Sequence, residues 1–136
     1  MSRLNPYISF RDTAEEAMDF YQSVFGGELQ VNRFGELPDS GDPADENKIL
    51  HSQLETPTGF TLMASDTPSN MEFESPAGFS ISIDGDNESE LAEYFTALSD
   101  GGTVIVPLEA APWGGKFGQC TDRFGIGWMV TVNSAD

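Results

Sequence analysis

Apolar and polar positions along the chain follow two periods, and the periods succeed one another in the same order twice. Tyr7-Ile8-Ser9-Phe10 is a short aromatic and β-branched run that reads as a strand. Thr13 with Glu16 three residues on has the form of a capping box, and Ala17, Phe20, Tyr21, Val24 and Phe25 then recur at helical spacing until Gly26-Gly27 stops them. A strand is expected at 28–34, a solvated loop at Glu36–Glu46, and two more strands, Lys48–Glu55 and Phe60–Ser65, joined by the turn Thr56-Pro57-Thr58-Gly59. The order then restarts. Phe79, Ile81 and Ile83 alternate with Ser80, Ser82 and Asp84 as a strand with one buried face. Asn87 and Glu90 open a second helix through Leu91, Tyr94, Phe95 and Leu98 to Gly101-Gly102, and strands follow at about 103–106, 117–121 and 126–132.

Phe20-Tyr21 before Gly26-Gly27 is echoed by Tyr94-Phe95 before Gly101-Gly102, an offset of 74 or 75 residues. The expectation is therefore a single α+β domain, 1–136, made of tandem βαβββ modules at 1–68 and 76–134. One helix covers one face of each module's sheet. The other face then needs the second module, so the two should form a cupped mixed sheet around a cavity.

Composition narrows the partners more than the chemistry. Six Lys and Arg against 23 Asp and Glu give a formal charge of −17, which repels phosphate backbones and anionic lipid and so disfavours nucleic acid and membrane. Solubility explains that charge without further function. The single cysteine, Cys120, rules out an intrachain disulfide and a Cys-based zinc cluster. With no secretory leader and no run of eighteen apolar residues, the reading is a cytoplasmic protein.

Asn5-Pro6-Tyr7-Ile8-Ser9-Phe10, Ala17–Tyr21 before Phe25-Gly26-Gly27, Ile49-Leu50-His51-Ser52, and Trp113-Gly114 leading to Asp122-Arg123-Phe124-Gly125 and Trp128 follow one another in this order. Together these segments resemble the vicinal oxygen chelate superfamily of glyoxalase I, bleomycin resistance proteins and extradiol dioxygenases, and most closely its PhnB-like branch. The resemblance implies the glyoxalase/bleomycin resistance fold, a small-molecule ligand and a homodimer. It also implies a divalent metal held by His and Glu at four sheet positions, and here the carry-over fails. Those positions fall at Pro6, Leu62 or Met63, Gly78 or Phe79, and Met129, none of which ligates a hard ion. No cofactor is expected, and a metal is conceivable only at a non-standard site.

His51 is the sole imidazole and the natural general base if the chain is an enzyme; the competing reading is a histidine that merely bonds across the sheet. Leu50 and Leu54 share one face of their strand, His51 and Gln53 the other, and Glu55 or Asp66 could orient the ring. Trp113, on a Gly-flanked loop, could close over a flat ligand, and Lys116 or Arg11 could draw an anion. Gln119 lies on a cavity strand, and of Trp128 and Met129 one should line the cavity while the other enters the core. Cys120 reads as an inert buried thiol, and Gly125-Ile126-Gly127 has no following helix to receive a phosphate.

Proteins like this sometimes carry a methyltransferase label, yet the chain is too short and wrongly ordered for a doubly wound cofactor-binding sheet. Three functions stay open: a ligand-binding protein; a metal-dependent lyase, isomerase or dioxygenase with a displaced site around His51; and a regulatory partner protein acting through the acidic 36–46 segment.

Overall fold

The computed structural model describes residues 2–37 and 42–134, and the chain divides into two compact units, Met1–Pro76 and Ala77–Asp136. The first unit runs β1 (Tyr7–Phe10), α1 (Ala14–Phe25), β2 (Glu28–Arg33), β3 (Ile49–Glu55) and β4 (Thr61–Asp66). Its sheet has the order β1-β4-β3-β2, with β1 parallel to β4 and the other pairs antiparallel. The second unit repeats this as β5 (Ile81–Gly85), α2 (Glu88–Ser99), β6 (Thr103–Ala110), β7 (Lys116–Thr121) and β8 (Gly127–Val132), in the order β5-β8-β7-β6. Each unit is the expected βαβββ module, and the α+β class stands. β6 is four residues longer than its expected span of 103–106.

Helical period and strand alternation meet in one core per unit. In the first, Ala14, Ala17, Met18, Tyr21 and Phe25 of α1 are buried together with Ile8, Phe10, Leu54, Leu62 and Ala64 of the sheet. In the second, Leu91, Tyr94, Phe95 and Leu98 of α2 are buried with Ile83, Cys120, Trp128, Val130 and Val132. Each large apolar side chain so enclosed contributes roughly 1.5–3 kcal/mol.

The glycines that end each helix have a shared physical reason. A Cβ on Gly27 would sit 2.2 Å from the Glu55 carbonyl oxygen, and one on Gly102 would sit 2.1 Å from that of Thr121. The chain leaving each helix thus lies against the backbone of the third strand of its unit, where no side chain fits.

The expected capping box at Thr13 does not form, because the Thr13 side chain makes no cap hydrogen bond. Asp66, from the end of β4, does the work instead. Its Oδ1 accepts from the Ala14 N–H at 3.0 Å and its Oδ2 from the Ile49 N–H at 2.9 Å. In α2 the cap is the local one expected, with Asn87 Oδ1 accepting from the Glu90 N–H at 3.2 Å.

Asp122 organises the β7–β8 turn in a comparable way. Its Oδ1 accepts from the Phe124 and Ile126 N–H groups at 2.8 and 3.1 Å, and its Oδ2 from Trp128 Nε1 at 2.9 Å.

The acidic 36–46 segment is bounded by two single 3-10 turns, Phe34–Glu36 and Pro43–Asp45, and its residues 38–41 lie outside the described residues. Asp45 is buried and meets Lys48 Nζ at 2.8 Å, which reaches Asp12 at 2.9 Å, while the Ser69 hydroxyl donates to Asp45 Oδ2 at 2.8 Å. The Lys48 and Ser69 bonds hold the Asp45 carboxyl below its ordinary range. Among the described residues no helix is long and apolar enough to cross a membrane.

Candidate functional site

Strand alternation places a set of mostly polar side chains on the face of the first sheet turned away from α1. Ile8 and Phe10 of β1 enter the core, so Tyr7 and Ser9 take the opposite face; on β3 the buried Ser52 and Leu54 leave His51 and Gln53 there. Register lines these strands up. Tyr7 lies beside Met63, Met63 beside Gln53, Gln53 beside Gln30, and His51 beside Asn32. Tyr7 reaches across β4 so that its hydroxyl is 3.3 Å from His51 Nδ1, with the two rings 5.8 Å apart between centroids and tilted by 31°. Tyr7 is 50% exposed and His51 half-buried, so the pair is reachable by a ligand.

Neither carboxylate expected to orient His51 does so. Asp66 is buried and spent on the Ala14 and Ile49 N–H groups. Glu55 accepts from the Gln53 amide at 3.1 Å and faces Arg3 at 3.8 Å. The partner of His51 is the Tyr7 phenol, which the linear sequence did not bring near it.

In the second unit the corresponding face carries Gln119 beside Met129, with Ser82 beyond Met129. Gln53 with Met63 and Gln119 with Met129 are therefore the same cross-strand pair repeated, each Gln ten residues before its Met. Met63 was not singled out from the sequence as a ligand contact, although this repeated spacing marks it. Of the pair Trp128 and Met129, Trp128 is the core residue, 2% exposed and bonded to Asp122, and Met129 takes the face away from α2.

Trp113 is 71% exposed and meets the Phe117 ring edge-on, with centroids 6.0 Å apart. Lys116 is not brought to Gln119 and Met129. It lies opposite the core residue Val132, on the helix side, and pairs with Glu88 at the start of α2 at 3.4 Å. Arg11 donates to the Met71 carbonyl at 2.6 Å and lies over the Phe73 ring, which occupies it as a strut for the segment after β4. Cys120 is fully buried, and burial, followed by the nearby Asp122 charge, pushes its thiol up to about 11. A thiol so placed is no nucleophile at neutral pH.

Residues 2–131 match the family model described as 3-demethylubiquinone-9 3-methyltransferase, and the chain belongs to that family. Among solved structures, protein PA1353 from Pseudomonas aeruginosa is 38% identical, with a TM-score of 0.87 over 98% of this chain and 99% of that one. A Bacillus cereus protein described as a putative 3-demethylubiquinone-9 3-methyltransferase, PhnB protein, is 26% identical, with a TM-score of 0.73 over 97% of this chain and 100% of that one. A glyoxylase/bleomycin resistance protein/dioxygenase domain from Frankia sp. EAN1pec, 15% identical, has a TM-score of 0.67 over 98% of each chain and shows the shared fold. The chain is thus a PhnB-like protein of the glyoxalase/bleomycin resistance fold.

The divalent ion which that fold implies does not suit the residues present. The positions at which the resemblance would set its ligands carry Pro6, Leu62 or Met63, Gly78 or Phe79, and Met129. Thioether sulfur is a poor ligand for a hard cation, and Pro and Gly supply no side-chain donor. Among the described residues no three His, Cys, Asp or Glu side chains gather where they could share an ion.

Proposed function

We propose that this protein binds a small organic molecule on the sheet face that carries Tyr7, His51, Gln53 and Met63, and that it does so in the cytoplasm. The observation that carries the reading is the Tyr7–His51 contact, two reachable aromatic side chains joined at 3.3 Å on a face of amides and a thioether. Aromatic rings with polar tips, flanked by a few hydrogen-bonding groups, are the usual furniture of small-molecule sites. The lone cysteine, buried and unpaired, suits a reducing compartment.

The family description names methyl transfer to 3-demethylubiquinone-9. Among the described residues both sheets are four-stranded and mixed, and neither is the doubly wound parallel sheet with a glycine-rich turn that holds nucleotide cofactors. Binding is therefore the reading adopted.

The second reading is catalysis, with His51 as general base. The Tyr7 hydroxyl bears on it through the tautomer, because Nε2 can take a substrate proton only in the form that carries its own proton on Nδ1 and donates it to the phenol oxygen. Thermal-shift screening with metal analysis separates the two readings. Metal-free protein stabilised by a compound, with the gain lost in His51→Ala, supports binding. A stoichiometric divalent ion that disappears in His51→Ala supports a metal-dependent enzyme.

We further propose a homodimer. β6 supports it, as an edge strand on which Val104, Ile105 and Val106 are all exposed. Ile105→Lys should then shift the particle mass measured by light scattering from two chains to one, and an unchanged mass removes β6 from the interface.

A further inference from the structure

We infer that the ligand of the Tyr7–His51 face is an uncharged molecule with a flat apolar body and adjoining hydrogen-bond donors and acceptors, and that anions of the same shape are rejected. This rests on the binding reading above and names its substrate class. The chain has six basic residues in all, and each is committed to a protein group. Arg33 bonds to Glu15 of α1, Lys116 pairs with Glu88 of α2, and Lys48 lies between Asp12 and Asp45. Arg123 donates to the Asp100 carbonyl at 3.0 Å, and Arg11 holds the Met71 carbonyl. That leaves Arg3, at the end of the face, where it donates to the Thr61 hydroxyl and has Glu55 beside it.

Single exposed ion pairs are weak, but their placement matters here more than their strength. Four of these pairs anchor helices and turns, so an anion on the face would meet no spare Lys or Arg and the repulsion of a chain at −17. Between Arg3–Glu55 at one end and Asn32, whose amide donates to Glu36 at 3.3 Å, the face offers Tyr7, Gln30, Gln53, Met63 and Ser65. Apart from the His51 imidazole, whose Nδ1 meets the Tyr7 hydroxyl, no side chain between those ends ionises at neutral pH. Each amide provides both donors and an acceptor, the thioether packs against aromatic rings, and the Tyr7 ring is free on half its surface. Glu28 opposite Glu55, which would favour a cation, sits at the outer end of the strands.

Benzamide, benzoate and benzylammonium form the test, being one ring with a neutral, an anionic and a cationic substituent. Their dissociation constants would be measured on the full chain by titration, with the ¹⁵N signals of the His51 ring reporting where each binds. Benzamide is expected to bind and to move the His51 signals, with benzoate at least about tenfold weaker. Gln53→Lys, which adds a cation to the face, is expected to bring benzoate level with benzamide. Benzoate or benzylammonium binding as well as benzamide, with His51 shifted, overturns the charge selectivity while leaving the site in place. Binding that leaves the His51 ring untouched, or no binding by any probe, overturns the site itself and the inference with it.

Discussion

The Tyr7 hydroxyl lies 3.3 Å from Nδ1 of His51, across a strand that separates β1 from β3. Of the two groups the phenol is the stronger acid, so it donates and Nδ1 accepts, which places the imidazole proton on Nε2. The ¹⁵N spectrum of neutral His51 should therefore show the Nε2–H tautomer. Tyr7→Phe should move the ring toward a mixture of tautomers while leaving stability within about 0.5 kcal/mol, as for an exposed substitution. An unchanged tautomer ratio in Tyr7→Phe would show that the contact does not orient the ring.

Asp66 caps α1 and ties the start of β3 through two buried N–H groups. Asp66→Ala leaves both donors unpaired and should cost roughly 2–6 kcal/mol in chemical denaturation, at about 1–3 kcal/mol for each orphaned group. Thr13→Ala should cost under about 0.5 kcal/mol, because Thr13 makes no cap bond. Comparable losses in the two variants would return the cap to Thr13.

Cys120 carries the pH-dependence that can be read from its surroundings. Burial raises the folded thiol to about 11, against an ordinary value of 9.0. The folded state thus keeps a proton that the unfolded chain gives up, so this residue lowers stability as pH climbs from 9.0 towards about 11. Cys120→Ser should flatten that part of the stability profile, although the hydroxyl makes the variant less stable at neutral pH. Native protein should also resist a thiol reagent that reacts at once in denaturant. Rapid labelling of the folded chain would contradict the burial of the sulfur.

Much of the fold is written locally. The helical stripes, the strand alternation and the paired Gly-Gly stops led to the eight strands and two α-helices found among the described residues, because each depends on neighbours a few residues away. The features that escaped depend on pairing between distant strands. The Asp66 cap joins residues 52 positions apart, and the Tyr7–His51 contact follows from β1 running parallel to β4. Lys116 went to the helix side because it shares its strand parity with Gly118 and Cys120, which face the core. That parity was present in the sequence. What it lacked was the strand's first residue, which decides whether Lys116 continues the alternation or belongs to the loop before it.

The site itself was half legible. Alternation put His51 and Gln53 on one face of β3 and reserved a place for one of Trp128 and Met129 on β8. The choice of Met129 came from the Asp122 carboxylate, which holds the Trp128 indole in the core.

Methyl-labelled methionine offers the most direct measurement of where a ligand sits. Met63 and Met129 lie on the sheet faces away from the helices, Met18 is fully buried on the core side of α1, and Met71 is exposed in the segment after β4. Any compound that raises the melting temperature should move the Met63 methyl resonance in saturable fashion, leave Met18 and Met71 in place, and lose its effect in His51→Ala. A stabilising compound that shifts Met71 or Met18 while Met63 stays still would show that the Tyr7–His51 face is not the binding site.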